Sequence, residues 1–263
     1  MKGDNMPKIL TSKLSVVFYV SVLWVTNIVC EKLYYSQHGQ DKFIYETFFK
    51  DKIDGFFVEA GANDGIAQSN TFFFEKTLGW KGLCVEPIPE VFERLKNNRR
   101  CTCFQGCISN FEGTATFVEF LRRTSAINND LEKFYIRCAG DCDAIQNLVA
   151  SLKSSLVSGL VEKFDPRHLE RWGHLPNKII SVPCYLPKTV FDMYGIKHID
   201  FLSLDTEGGE FDILKSIDFS SVYISVLQVE DRWPDGSIKE FLMNKGFAFV
   251  ARIGNDDIYK NTH

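Results

Sequence analysis

The chain has 263 residues, enough for one large domain or two small ones. Hydrophobic residues make up 45% and charged residues 24%, which is a globular composition and argues against extensive disorder. The net charge of −4 gives no bulk attraction to a polyanion, so we expect no nucleic-acid partner. The 23 phenylalanines require a thick, layered core that buries most of them.

Residues 1–31 form a segment of their own. Lys2, Lys8 and Lys13 precede residues 14–30, which carry no charge (LSVVFYVSVLWVTNIVC). A basic flank before an apolar run is typical of a signal peptide or a signal anchor, and a buried core helix is the alternative. We favour a retained hydrophobic helix that anchors the chain in a membrane of the secretory pathway. Cleavage would instead give a secreted protein.

Residues 34–263 are predicted to form one α/β domain, because apolar runs of strand length alternate with segments of helical period. Residues 165–172 are read as a loop and short helix. The alternation predicts a doubly wound, mostly parallel sheet with helices on both faces and a ligand site at the carboxyl ends of its strands. Strands are predicted at residues 55–59, 82–86, 101–109, 113–120, 178–183, 199–205, 222–229 and 246–253, and helices at 69–78, 89–97, near 143–163, 210–217 and 237–245.

A glycine-containing turn follows the first strand. Glu59 ends that strand, and Gly61, Asn63 and Gly65 lie in the turn, where glycines allow tight bending and close approach of a ligand. Glu86 ends the second strand, the place from which an acid accepts hydrogen bonds from ribose. The pattern is not G-x-G-x-x-G, and a plain strand–turn–helix junction is the alternative. We predict a nucleotide-type cofactor pocket.

Carboxylates also follow the later strands. Asp205 and Glu207 come after one strand and Glu230 after the next, so the three are candidates for a general base, a cation site or a charge partner for substrate. The alternatives are that Asp205 and Glu207 cap the following helix and that Glu230 pairs with Arg232 at the surface. We assign no resident metal, and we interpret His38 as structural.

The eight cysteines leave their pairing open. In a secreted domain they form bridges whose connectivity cannot be read from sequence. Cys101, Cys103 and Cys107 lack the paired spacing of a zinc site, and Cys84 lies in an apolar strand and is predicted to be a core residue.

Five blocks of sequence carry a family resemblance: residues 36–41 (SQHGQD), 57–65 (FVEAGANDG), 69–71 (SNT), 79–87 (GWKGLCVEP) and 199–210 (IDFLSLDTEGGE). Together they resemble the FkbM family of methyltransferases. The resemblance implies a class I methyltransferase fold that binds S-adenosylmethionine through Glu59, Gly61, Asn63, Gly65 and Glu86, with Ser109 beside the adenine. It also implies methyl transfer to an unknown acceptor, most simply at oxygen, with Asp205, Glu207 and Glu230 as catalytic candidates.

A short anchor before an FkbM-like domain is also similar to the Star group of animal proteins. That similarity implies a non-catalytic type II membrane protein that helps membrane-protein cargo pass from the endoplasmic reticulum to the Golgi. With the lysines in the cytoplasm the domain is luminal, whereas S-adenosylmethionine is made in the cytosol. The intact residues of the glycine turn favour the enzyme.

Overall fold

The computed structural model describes residues 33–121 and 157–263. The predicted hydrophobic segment at residues 14–30 lies outside these residues, as does most of the helix predicted near 143–163. In the described ranges, no helix is both long and apolar enough to cross a membrane. The described residues from Tyr34 onward belong to one compact unit.

Eleven strands and seven α-helices make up the described part of the chain. The strands are β1 (Phe56–Ala60), β2 (Lys81–Glu86), β3 (Thr102–Gln105), β4 (Cys107–Ile108), β5 (Gly113–Phe120), β6 (Gly159–Leu160), β7 (Asn177–Tyr185), β8 (His198–Leu204), β9 (Tyr223–Glu230), β10 (Phe247–Ile253) and β11 (Asp256–Asn261). The helices are α1 (Gln40–Ile44), which continues as a π-helical turn (Tyr45–Phe49), α2 (Phe72–Leu78), α3 (Pro89–Asn98), α4 (Pro166–Trp172), α5 (Pro187–Met193), α6 (Glu210–Ser216) and α7 (Ser237–Asn244).

The larger sheet has seven strands in the order β10-β11-β9-β8-β1-β2-β3. The pairs β1–β2, β2–β3, β1–β8 and β8–β9 are parallel, and β11 runs antiparallel to both of its neighbours. The strand order reverses between β1 and β8, since β2 and β3 extend the sheet on one side and β9 on the other. Such a reversal opens a crevice at the carboxyl ends of the two strands, where α/β proteins bind ligands.

Helices cover both faces of this sheet, as predicted. Successive side chains of a strand point to opposite faces, and β1 shows the consequence. Val58 packs in a core with Val190 of α5, Leu214 of α6 and Leu242 of α7. Phe57 packs in a second core together with buried residues of three more helices, namely Ile44 of α1, Phe74 of α2 and Leu95 of α3.

A second sheet was not predicted. Its four strands lie in the order β4-β7-β5-β6, and β5 pairs with β7 over eight residues. The single strand predicted at residues 101–109 is therefore wrong: β3 belongs to the larger sheet and β4 to the smaller one, with Gly106 between them. The helix predicted near 143–163 is also wrong where it is described, because Leu160 of β6 pairs with Phe117 and a 3-10 turn (Val161–Lys163) follows.

The remaining elements agree with the sequence except for three that it did not indicate: α1, α5 and β11. Residues 165–172 form the expected loop and short helix, and the side chain of Asp165 caps α4 by accepting from the backbone N–H of Arg167. The sequence offers Asn70 or Ser69 as the cap of the helix predicted at residues 69–78. Oγ of Ser69 accepts the backbone N–H of Phe72 at 3.0 Å, at the start of α2.

Candidate functional site

A cavity of about 370 Å³ lies at the carboxyl ends of the central strands, within the size range of small-molecule sites. Eight of the nine residues predicted from sequence line this cavity: Glu59, Gly61, Asn63, Glu86, Ser109, Asp205, Glu207 and Glu230. It therefore occupies the crevice expected from the reversal of strand order between β1 and β8.

The glycine turn after β1 lines the cavity between the part next to Glu86 and the part next to Asp205. Gly61 has a φ of +83°, and a Cβ atom there would lie 1.8 Å from the backbone oxygen of Asp205. The backbone N–H groups of Gly61 and Ala62 both donate to the oxygen of Val85, at 3.1 and 3.0 Å. Only glycine therefore fits where β1, β2 and β8 meet, and any larger residue would push the Asp205 loop away.

Gly65 is the one predicted site residue that does not line the cavity. Its φ is +84°, and a Cβ atom there would lie 2.6 Å from Cγ of Arg99 and 2.6 Å from Cδ1 of Leu95. Direct contact of Gly65 with a cofactor stays a prediction. This glycine lets the turn pack against α3 and the residue that follows it.

Glu86 ends β2 with its carboxylate held in place by the backbone. One oxygen accepts the N–H of Asn63 at 3.0 Å, and the other accepts the N–H of Ile88 at 2.9 Å. Each carboxylate oxygen has capacity for a second hydrogen bond, so the group remains able to bind hydroxyls. Burial raises the pKa of Glu86 to about 7.

Glu59 has a different environment from Glu86. Its carboxylate accepts hydrogen bonds from the N–H of Asn70 at 2.8 Å, the hydroxyl of Thr71 at 2.7 Å and Nη1 of Arg99 at 3.2 Å. Arg99 is fully buried and also donates to Glu75 at 2.7 Å and to the backbone oxygen of Gly65 at 3.0 Å. This network orders the loop from the glycine turn to α2. Direct contact of the Glu59 carboxylate with a cofactor stays a prediction.

Asp205, Glu207 and Glu230 converge at the other end of the cavity. One carboxylate oxygen from each lies within 4.8 Å of the others, an arrangement that could hold a hard cation. Burial raises the pKa of all three groups, and mutual repulsion raises it further, from Glu230 on Asp205, from Asp205 on Glu207 and from Glu207 on Glu230. Each of the three carboxyl groups therefore holds its proton more tightly than an exposed carboxyl group does.

Arg232 holds two of these three acids. Its Nη2 lies 3.0 and 3.1 Å from the two oxygens of Glu207 and 2.6 Å from Oε1 of Glu230. The pair of Glu230 and Arg232 is not an ordinary surface pair, since their side chains are only 8% and 17% exposed. Within the described part of the chain, no hydrogen bond reaches the Asp205 carboxylate, so Asp205 is the acid available to a ligand.

Helix capping does not explain Asp205 or Glu207. The acid that organises the start of α6 is Glu210, whose carboxylate accepts the N–H of Thr206 at 2.7 Å and that of Gly208 at 3.0 Å. Among the described residues, no side chain caps the N-terminus of α6 by a hydrogen bond, so the capping alternative for Asp205 and Glu207 is wrong. The backbone N–H of His38 donates to the side chain of Gln40, so the main chain of His38 has the structural role expected from sequence. The residue also lines the cavity.

A family model described as the methyltransferase FkbM domain matches residues 59–249, more than half of the chain. The chain belongs to this family. The matched range contains all nine site residues predicted from sequence. Among solved structures, the chain is similar to one titled "Human methyltransferase 10 domain containing protein", at 11% sequence identity and a TM-score of 0.38, over 95% of this chain and 98% of that one. No curated protein sequence gives a significant match.

Three residues of the FkbM site were missed or given another role from sequence. Arg99 lies at the end of a helix, 40 residues from its partner Glu59, where a positive charge reads as a surface group. Arg232 was read only as a surface partner of Glu230. Asn70 was considered only as a helix cap, although its block, residues 69–71, belongs to the resemblance and could have indicated a site.

Proposed function

We propose that this FkbM domain is an S-adenosylmethionine-dependent methyltransferase that methylates a hydroxyl oxygen of its acceptor. One observation carries the proposal. A single cavity at the reversal point of the sheet joins a ribose-type acid, Glu86, to a carboxylate without a hydrogen-bond partner among the described residues, Asp205. A cofactor bound at the first and an acceptor bound at the second would meet over Gly61.

The charges around the cavity suit a cationic cofactor. S-adenosylmethionine supplies an electrophilic methyl group on a positively charged sulfur. Acidic groups outnumber basic ones in the lining, so the local potential favours a cation over an anion of similar size. The acids are Glu59, Glu86, Asp205, Glu207 and Glu230, and the lysine and arginine residues are Lys163, Arg171 and Arg232.

Each residue then has a defined task. Glu86 accepts hydrogen bonds from the ribose hydroxyls, and Ser109, at the end of β4, lies beside the adenine. Asp205 accepts the proton that the acceptor hydroxyl loses as it attacks the methyl group, and burial raises its pKa, which makes it a stronger base than an exposed Asp. Arg232 is a positioning residue, because it fixes Glu207 and Glu230 around Asp205.

Calorimetric titration of the full chain with S-adenosylmethionine tests the cofactor assignment. Replacing Glu86 by Ala removes a charged hydrogen-bond partner and should weaken binding by about 1.5–3 kcal/mol, or about 10- to 150-fold. Glu90→Ala is the control, since Glu90 is exposed on α3 and does not line the cavity. Absence of binding by the unaltered chain at millimolar cofactor would exclude the methyltransferase.

The Star-like function is the second candidate, and the sequence of residues 14–30 with its lysine flank favours it. In that case the domain keeps the fold and binds membrane-protein cargo through its surface, in the lumen of the secretory pathway. The same titration separates the two candidates, because cargo binding requires no affinity for S-adenosylmethionine.

A further inference from the structure

Asn70 lies at the wall of the cavity, one residue before the N-cap of α2. Two hydrogen bonds fix its position: its backbone N–H donates to Glu59 at 2.8 Å, and its Nδ2 donates to the hydroxyl of Ser203 at 3.1 Å. The residue is only 6% exposed, yet it lines the cavity. Within the described ranges, its Oδ1 has no hydrogen-bond partner.

A buried amide oxygen is costly to leave without a donor, so this position calls for a ligand that donates. The excess of acids over bases in the cavity lining defines the kind of donor. An amide acceptor in that surrounding favours a positively charged N–H donor, such as a primary ammonium group.

The sheet order places this acceptor at the correct end of the cavity for the methionine part of the cofactor. Glu86 ends β2 on one side of β1, and Ser109 follows β4, which contacts β2, with Gly61 at the end of β1 itself. Asn70 is bound to Ser203 of β8, on the opposite side of β1. A cofactor with its adenine and ribose at the first side therefore extends its amino-acid end across Gly61 towards Asn70.

We infer that Oδ1 of Asn70 accepts a hydrogen bond from the α-ammonium group of S-adenosylmethionine. The inference rests on the proposed function and gives a role to the Ser69-Asn70-Thr71 block, for which the sequence indicated only a helix cap. Asn70 is then a cofactor-binding residue that contacts only the amino-acid end of the cofactor, whereas Glu86 contacts the ribose.

Binding of three ligands to the full chain tests the inference: S-adenosylmethionine, S-adenosylhomocysteine and 5′-methylthioadenosine, which keeps the nucleoside but lacks the amino acid. Asn70→Ala should weaken the first two by about 10-fold or more, as for loss of a hydrogen bond to a charged group, and leave methylthioadenosine within about twofold. Asn70→Asp retains an acceptor, so S-adenosylmethionine should bind within about threefold of the unaltered chain or more tightly.

Asn98→Ala is the matched control. Its amide also supports this loop, by donating to the backbone oxygen of Asp64 at 2.8 Å, but it does not line the cavity, so all three affinities should stay within about twofold. Equal weakening of the three ligands by Asn70→Ala would overturn the inference, because Asn70 would then only support the cavity. Unchanged affinities would overturn it as well. If the unaltered chain binds none of the three, the proposed function itself fails.

Discussion

Replacing Asp205 by Asn tests whether this side chain is the base, because the variant keeps the shape of the carboxyl group and removes its charge. Oxygens of Asp205 and Glu230 lie within 4.8 Å of each other. Two unit charges at that distance repel by about 3 kcal/mol at an effective dielectric constant of about 20. Partial protonation of the two carboxyl groups lowers this repulsion. We therefore expect the free energy of unfolding of Asp205→Asn at pH 7 to equal that of the unaltered chain or to exceed it by up to about 3 kcal/mol.

Methyl transfer should change in the opposite direction. General-base catalysis contributes about 10²- to 10⁴-fold, so transfer of a labelled methyl group from S-adenosylmethionine to the acceptor should fall by about that factor. Cofactor affinity should stay within about twofold, since Asp205 faces the acceptor. Asp218→Asn is the control, because Asp218 is exposed and lies outside the cavity.

Urea unfolding, cofactor titration and the transfer assay on the same preparations separate the two possibilities. A variant that unfolds at much lower urea, with transfer reduced only in proportion to folded protein, would mean that Asp205 is structural. A variant with full stability and an unchanged transfer rate would refute Asp205 as the base and leave Glu230 as the next carboxylate to replace.

Three further predictions follow from the structure and the sequence. Arg99→Met should lower the free energy of unfolding by about 3–5 kcal/mol, since it leaves buried Glu59 unpaired, whereas the exposed neighbour Arg100→Met should have little effect in urea titrations. Glu86 should make stability fall between pH 4.5 and about 7, because the folded state holds its proton more tightly; Glu86→Gln lacks this titration, so its melting temperature should rise relative to that of the unaltered chain over that range, and a constant difference contradicts this. Residues 14–30 should keep the chain in the membrane pellet after alkaline carbonate extraction, and soluble product lacking them would indicate cleavage.

The central strands could be predicted because their apolar runs are long and end at punctuating residues. β2 stops before Pro87, and β8 is buried over six of its seven residues. β11 was missed because its sequence, DDIYKN, begins with two acids and ends with polar residues, although tertiary pairing on both edges buries Asp256 and Asp257. Local propensity cannot reveal a strand whose stability comes from two neighbours.

The second sheet escaped prediction for a related reason. Residues 101–109 were predicted as one strand, but Cys103 lies opposite Cys84 of β2, whereas Cys107 lies opposite Cys184 of β7. Only the structure shows that the chain changes partner at Gly106. Strand-end residues of the site were accessible from sequence, because parallel strands bring their carboxyl ends together. Arg99 and the role of Asn70 were not, since their contacts join segments far apart in the chain.

Two arginines, the buried Arg99 and the partly buried Arg232, explain why one acid of the site differs from the others. Arg99 pairs with Glu59 and Glu75 beside the glycine turn, and Arg232 pairs with Glu207 and Glu230 at the far end of the cavity. Among the described residues of the cluster, Asp205 alone has no arginine ion pair and no hydrogen bond. Its carboxylate therefore keeps its hydrogen-bonding capacity for an acceptor hydroxyl, which is why Asp205, and not Glu207 or Glu230, is the expected base.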